Sequence, residues 1–171
     1  FGWVCGQLIS GSLGAGSYAG TISVASGSTL TYSSSTGQTL SGIISGAGSI
    51  IKDTSTSTLT LSASNSYTGS TTVSAGAIVA TTNTSLGNTS GTTTVNDGGA
   101  IHLSGTGLSI AETLSITGSG VSSSGAVRNL STAGNDTNTL SGAITLAAAS
   151  EIQSDDGTLT IDVSSGNAIA G

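Results

Sequence analysis

Apolar and polar residues alternate one for one in short runs along the whole chain. Leu59 and Leu61 alternate with Thr58 and Thr60, and Leu114 and Ile116 alternate with Thr113 and Ser115. A period of two sends successive side chains to opposite faces of a strand, so each run predicts one dry face and one wet face. Runs of this kind predict strands at residues 21–24, 29–32, 43–45, 49–52, 58–61, 71–74, 77–80, 93–96, 100–103, 108–110, 113–116, 126–130, 143–146, 151–153 and 158–163. Each run is short and is bounded by Gly, Asn, Asp or Ser, the residues that favour turns.

The runs also repeat. Thr39-Leu40-Ser41-Gly42 returns as Thr139-Leu140-Ser141-Gly142, and Thr58-Leu59-Thr60-Leu61 returns as Thr158-Leu159-Thr160-Ile161, both at an offset of one hundred residues. A second motif, Val then Gly then an apolar pair, appears in Val73-Ser74-Ala75-Gly76-Ala77-Ile78 and in Val95-Asn96-Asp97-Gly98-Gly99-Ala100-Ile101. A looser copy lies in Val24-Ala25-Ser26-Gly27-Ser28-Thr29-Leu30. Spacings of about twenty residues with variable corners are those of a solenoid in which every coil supplies a few short strands. The predicted fold is therefore all-β, a right-handed parallel β-helix (β-solenoid) over residues 1–171, with repeat-like coils at 39–161 and an atypical coil or assembly element at 1–20. With coils ~4.8 Å apart, the rod would measure on the order of 40 Å.

Composition narrows the picture. With one Lys (Lys52), one Arg (Arg128) and two Glu (Glu112, Glu151), the charge pairs that support solvent-facing helices cannot be assembled. Low charge with 27 Gly would suit disorder, but the recurring Leu, Ile and Val and a mean hydropathy of +0.27 do not. A net charge of −6 with two basic side chains leaves no footprint for nucleic acid. The lone Cys5 and lone His102 predict neither an internal disulfide nor a metal site, and no cofactor is expected. No run reaches the ~20 apolar residues of a membrane span, and no basic region precedes an apolar run at the N-terminus, so the segment reads as processed or excised.

The segment Leu40-Ser41-Gly42-Ile43-Ile44-Ser45-Gly46-Ala47-Gly48-Ser49-Ile50-Ile51-Lys52, followed by Thr58-Leu59-Thr60-Leu61 and Asn65-Ser66-Tyr67-Thr68-Gly69-Ser70-Thr71-Thr72-Val73, resembles the autotransporter-associated β-strand repeat. Ala75-Gly76-Ala77-Ile78 completes the likeness. The resemblance implies a passenger β-helix exported across an outer membrane to the cell surface or the medium, serving in adhesion, aggregation or spacing, with cell-surface or glycan ligands as its partners. Within it, Asn65, Tyr67 and Gly69 are expected to form a structural corner, Asn65 through its tolerance of left-handed backbone angles and Tyr67 by covering the coil edge.

Candidate chemistry is sparse. Asp155-Asp156 is the only adjacent carboxylate pair, and with Gly157 behind it the sequence predicts a turn. His102 alternates with Ile101 and Leu103 and is expected on the outward, solvated face. With Lys52 and Arg128 as the only basic groups, polysaccharide-lyase chemistry is under-supplied, and no enzyme is expected. Thr rows such as Thr92-Thr93-Thr94 raise ice binding, but the outward positions mix Ser, Thr, Asn, His and Arg. No charged or Pro-rich cap is readable at either end, which makes end-to-end stacking of copies into an extracellular or phage-associated fibre the competing expectation, with Phe1 and Trp3 as the assembly contact.

Overall fold

Short alternating strands with a Gly-rich corner after each have no local partner, because the next strand points elsewhere. They satisfy their backbone groups only by pairing with the equivalent strand one coil away. The computed structural model, which describes residues 7–9, 11–130, 132, 134–163 and 168–171, shows that arrangement throughout. Every strand pair described is parallel, and the chain winds in turns of about 22 residues as a right-handed β-solenoid.

The longest sheet stacks Gln7–Ile9, Thr29–Ser33, Ser49–Lys52, Thr71–Val73, Thr92–Val95, Thr113–Gly118, Ile144–Ser150 and Ile169–Ala170. A second sheet stacks Ser17–Tyr18, Gln38–Leu40, Thr58–Leu61, Gly76–Ala80, Gly99–Leu103, Val127–Asn129 and Ile152–Ser154. The third face is split between the pair Ile22–Ser23 and Ile44–Ser45 and the trio Ser109–Ile110, Thr137–Leu140 and Thr158–Ile161. Within the first twenty residues, Gln7–Ile9 and Ser17–Tyr18 thus pair into the same two sheets as the repeat-like coils.

The repeats found by sequence are stacked rungs. Thr39 and Leu40 lie in register with Thr60 and Leu61, and Thr139 and Leu140 with Thr160 and Ile161, so each copy is two coils thick and sets Leu on an aliphatic neighbour. The Val-Gly motif copies also sit one above the other, Val73 on Val95 and Gly76-Ala77-Ile78 on Gly99-Ala100-Ile101. The looser copy at 24–30 belongs to another corner, since Leu30 pairs with Ile50 in the long sheet.

Inward side chains form continuous rows along the axis. One runs Leu30, Ile50, Thr71, Thr93, Leu114, Ile144, Ile169, and the next runs Tyr32, Lys52, Val73, Val95, Ile116, Leu146. The rows are closed in the middle and open on the last described rung, where exposure rises from 1 % at Ile144 to 44 % at Ile169. The turn from Leu114 to Ile144 is longer than the rest; it carries the short 3-10 segment Val121–Ser123, and the register breaks between Ile116 and Gly118.

Candidate functional site

The corner at 65–69 is built inward. Asn65 is buried, and its side chain ties three coils: Oδ1 accepts from the Ile44 N–H at 2.8 Å, and Nδ2 donates to the Ser85 carbonyl at 2.7 Å. Asn65 is not among the residues with positive φ, so its role rests on these side-chain bonds and not on a left-handed backbone. Tyr67 lies inside the coil at 0 % exposure instead of capping its edge, and its hydroxyl shares a 2.7 Å hydrogen bond with Thr71 Oγ1. Burial drives its phenol far above the usual range, so the hydroxyl keeps its proton. Gly69 is required by contact: a Cβ there would fall 2.2 Å from the Gly48 carbonyl oxygen.

Further polar groups occupy inward positions. Lys52, one of the two basic side chains, is fully buried; its Nζ donates to the carbonyls of Thr54 and, at 3.2 Å, Ala75, and stands 5.7 Å from the Tyr32 ring centre. Burial lowers its pKa from the ordinary lysine value. Within one coil Asn138 Nδ2 donates to Asn129 Oδ1 at 2.7 Å, linking the second and third faces, and Asn138 Oδ1 accepts from the Leu108 N–H of the preceding coil at 2.8 Å. These residues carry structure. The signal for Lys52 was present, because it shares the face of Ile50 two residues before it.

The outer face of the second sheet brings the only Arg and only His together. The outward row runs Thr39, Thr60, Val79, His102, Arg128, Gln153. His102 does occupy an outward position, but the expected solvated histidine is overturned: it is only 9 % exposed, and its Nε2 is buried with no hydrogen-bond partner. Burial, and then the charge of Arg128, hold its pKa below the ordinary value, with Asp155 opposing. Arg128 Nε donates to Asp155 Oδ1 at 2.7 Å, while Asp156 turns to the Gly157 and Asn135 N–H groups. The carboxylate pair therefore serves a bend between strands, each member with a different partner, and does not converge on a substrate position.

A cleft of about 390 Å³ opens at the register break, lined by Asp97, Gly118, Ser119, Ala149, Ser150 and Glu151. Its two carboxylates face no basic side chain in the lining, which leaves an acidic substrate without charge neutralisation. Among the described residues no group of three or more His, Cys, Asp or Glu is placed to hold a metal ion. Phe1 and Trp3, the expected assembly contact, lie outside the described residues.

A family model described as Passenger-associated-transport-repeat matches residues 53–80. That stretch holds the strands Thr58–Leu61, Thr71–Val73 and Gly76–Ala80 and the Asn65, Tyr67 and Gly69 corner between them, a little more than one coil. No curated protein and no solved structure gives a match.

Proposed function

We propose that this chain is a non-enzymatic structural rod, part of an autotransporter-like adhesin displayed on or secreted from the bacterial cell. The observation that carries this reading is the eight-stranded parallel sheet that stacks every coil from Gln7–Ile9 to Ile169–Ala170, with an interior filled by side chains and buried amides such as Asn65 bonding one coil to the next. A solenoid of this kind provides length and stiffness, with an outer face available to cell-surface or glycan ligands. The repeat match at 53–80 supports export as a passenger. The test is antibody labelling of intact producing cells before and after protease shaving. The reading expects surface label that shaving removes; label that appears only after permeabilisation would refute it.

The second reading is a fibre of copies stacked end to end. It is favoured by the stacking itself: every described strand pairs in parallel with the strand one coil away, a ladder that can continue between copies. Electron microscopy of the native material separates the two. Filaments whose length grows with protein concentration favour the fibre, and discrete rods of fixed length favour the passenger.

A further inference from the structure

Two residues ahead of the row Ile50, Thr71, Thr93, Leu114, Ile144 lie Gly48, Gly69, Gly91, Glu112 and Gly142. This corner column is glycine because the coils touch there: added Cβ atoms would fall 2.2 Å from the Gly48 oxygen at Gly69, 2.5 Å from the Gly69 oxygen at Gly91, and 2.0 Å from the Glu112 oxygen at Gly142. Glu112 is the exception. Its Oε1 lies 3.5 Å from where a Gly91 Cβ would sit, so the side chain folds back over the void left by the glycine one coil before.

Glu112 is only 4 % exposed, and both of its carboxyl oxygens are buried with no hydrogen-bond partner; the hydroxyl of Thr93, two residues after Gly91, is likewise buried and unpartnered. A buried carboxylate with no partner is among the costlier arrangements a protein interior can hold, whereas the neutral acid costs only the burial of a polar group. The groups around it do nothing to offset the charge. Thr93 and Gly91 on the preceding coil and Gly142 on the following one are neutral. Tyr67, two coils back, is the titratable group that feels Glu112, and it stays protonated. Among the described residues no charged side chain bears on the site; burial pushes the Glu112 carboxyl up to about 7 from 4.5.

We propose that Glu112 is a proton-operated lock on this corner: the neutral acid packs into the glycine column and holds the coil of Thr92–Val95 against that of Thr113–Gly118, and ionisation of the carboxyl loosens that joint. The solenoid is thus firmest at this corner in mildly acid surroundings and develops a weak joint there as the medium turns neutral to alkaline. The folded-state affinity for the proton exceeds that of the unfolded chain, so the stabilisation is complete below about pH 4.5 and is lost as pH rises through about 7. Between pH 5 and pH 8 the closed-to-open ratio of the joint falls by roughly one to two orders of magnitude.

Amide hydrogen exchange of residues 92–95 and 113–116, followed from pH 5 to pH 8 after correction for intrinsic exchange, reads this joint in the wild type and in Glu112→Gln. His102 titrates in both proteins, so the difference between them isolates Glu112. The expected result is a loss of protection with rising pH in the wild type and its absence in Glu112→Gln, which stays protected at pH 8. Equal pH dependence in the two proteins would overturn the proposal. If Glu112→Gln does not fold, a carbon-detected titration of the Glu112 carboxyl in the folded wild type decides: a midpoint near 7 supports the lock, and one near 4.5 overturns it. A step that moves with Na⁺ or Ca²⁺ concentration would assign the carboxyl to a cation and also overturn it.

Discussion

Replacing Asn65 tests whether one inward amide holds three coils. The partners on either side fix the orientation of the amide: Ile44 offers an N–H at 2.8 Å and Ser85 a carbonyl at 2.7 Å, so the oxygen must face Ile44 and the nitrogen Ser85. Asn65→Ala leaves a buried donor and a buried acceptor without these partners, at about 1–3 kcal/mol each when unsatisfied. Some re-solvation through the new cavity puts the net loss at about 2–4 kcal/mol. Asn65→Asp is the sharper probe because it keeps the shape. Its carboxylate still accepts from Ile44 but sets an anionic oxygen against the Ser85 carbonyl, so at neutral pH it is at least as damaging as alanine. Near pH 3 the protonated acid has an O–H to give to Ser85, and much of the loss is recovered. Solenoids open locally, so the assay is amide exchange at Ile44 and its neighbours alongside urea unfolding. Loss of protection confined to the coils around 44, 65 and 85, with partial acid rescue of Asn65→Asp, is the expected result. An Asn65→Ala protein within about 0.5 kcal/mol of wild type, or an Asn65→Asp protein whose loss does not change with pH, would refute the reasoning.

Three further outcomes follow from the same geometry. Lys52 is the chain's only lysine and is fully buried, so an amine-reactive reagent should modify it only after unfolding, read by peptide mass mapping; modification in the folded protein would contradict its placement. Gly69→Ala drives a methyl into the Gly48 backbone and should cost about 1–3 kcal/mol, while Gly11→Ala, with open space around it, should stay within about 0.5 kcal/mol; similar unfolding midpoints for the two would count against the contact argument. The His102 pKa is lowered in the folded state, so its contribution is present above about 6.5 and lost as pH falls through the folded value. His102→Gln should therefore flatten the acid side of the stability curve, and an unchanged acid slope would show that the imidazole is not the cause.

Alternation is plainest in strands whose inward positions are all apolar, as in Thr58–Leu61 and Thr113–Gly118. Ser49–Lys52 remains legible despite its inward Lys52, because Ile50 and Ile51 carry the run, whereas a polar inward residue on a strand with one apolar position hides it. Gln38–Leu40 and Thr137–Leu140 were visible as repeats but not as complete strands, because Gln38 and Asn138 stand inside the coil and read as solvent-facing. Gln38 is tolerated there because its amide bonds the Leu13 N–H at 2.7 Å and the Leu13 carbonyl at 3.2 Å, partners twenty-five residues away that no local pattern displays. Glu112 shows the reverse. Leu108, Ile110, Leu114 and Ile116 place it inward by simple alternation, yet its glycine column emerges only when the coils are laid in register. His102 was assigned correctly to the outward row and wrongly to solvent, since the cover over that row depends on neighbouring coils.

These inward polar residues answer a problem that alternation leaves open. Sliding a strand by one residue turns its apolar face to water and is heavily penalised, but sliding it by two restores the same apolar and polar faces. In a stack of near-identical rungs of Leu, Ile, Val and Thr, hydrophobic burial barely distinguishes the correct register from one shifted by two. Hydrogen-bonded pairs do distinguish it. A two-residue shift of the Asn65 coil separates its amide from both the Ile44 N–H and the Ser85 carbonyl, leaving donor and acceptor buried without partners, and the same holds for Asn138 against the Leu108 N–H. The penalties fall on different coils, so each key fixes its own rungs and the sum fixes the rod. The chemistry of the buried Asn65 and Asn138 is thereby spent on register, each amide holding its coil to the one beside it.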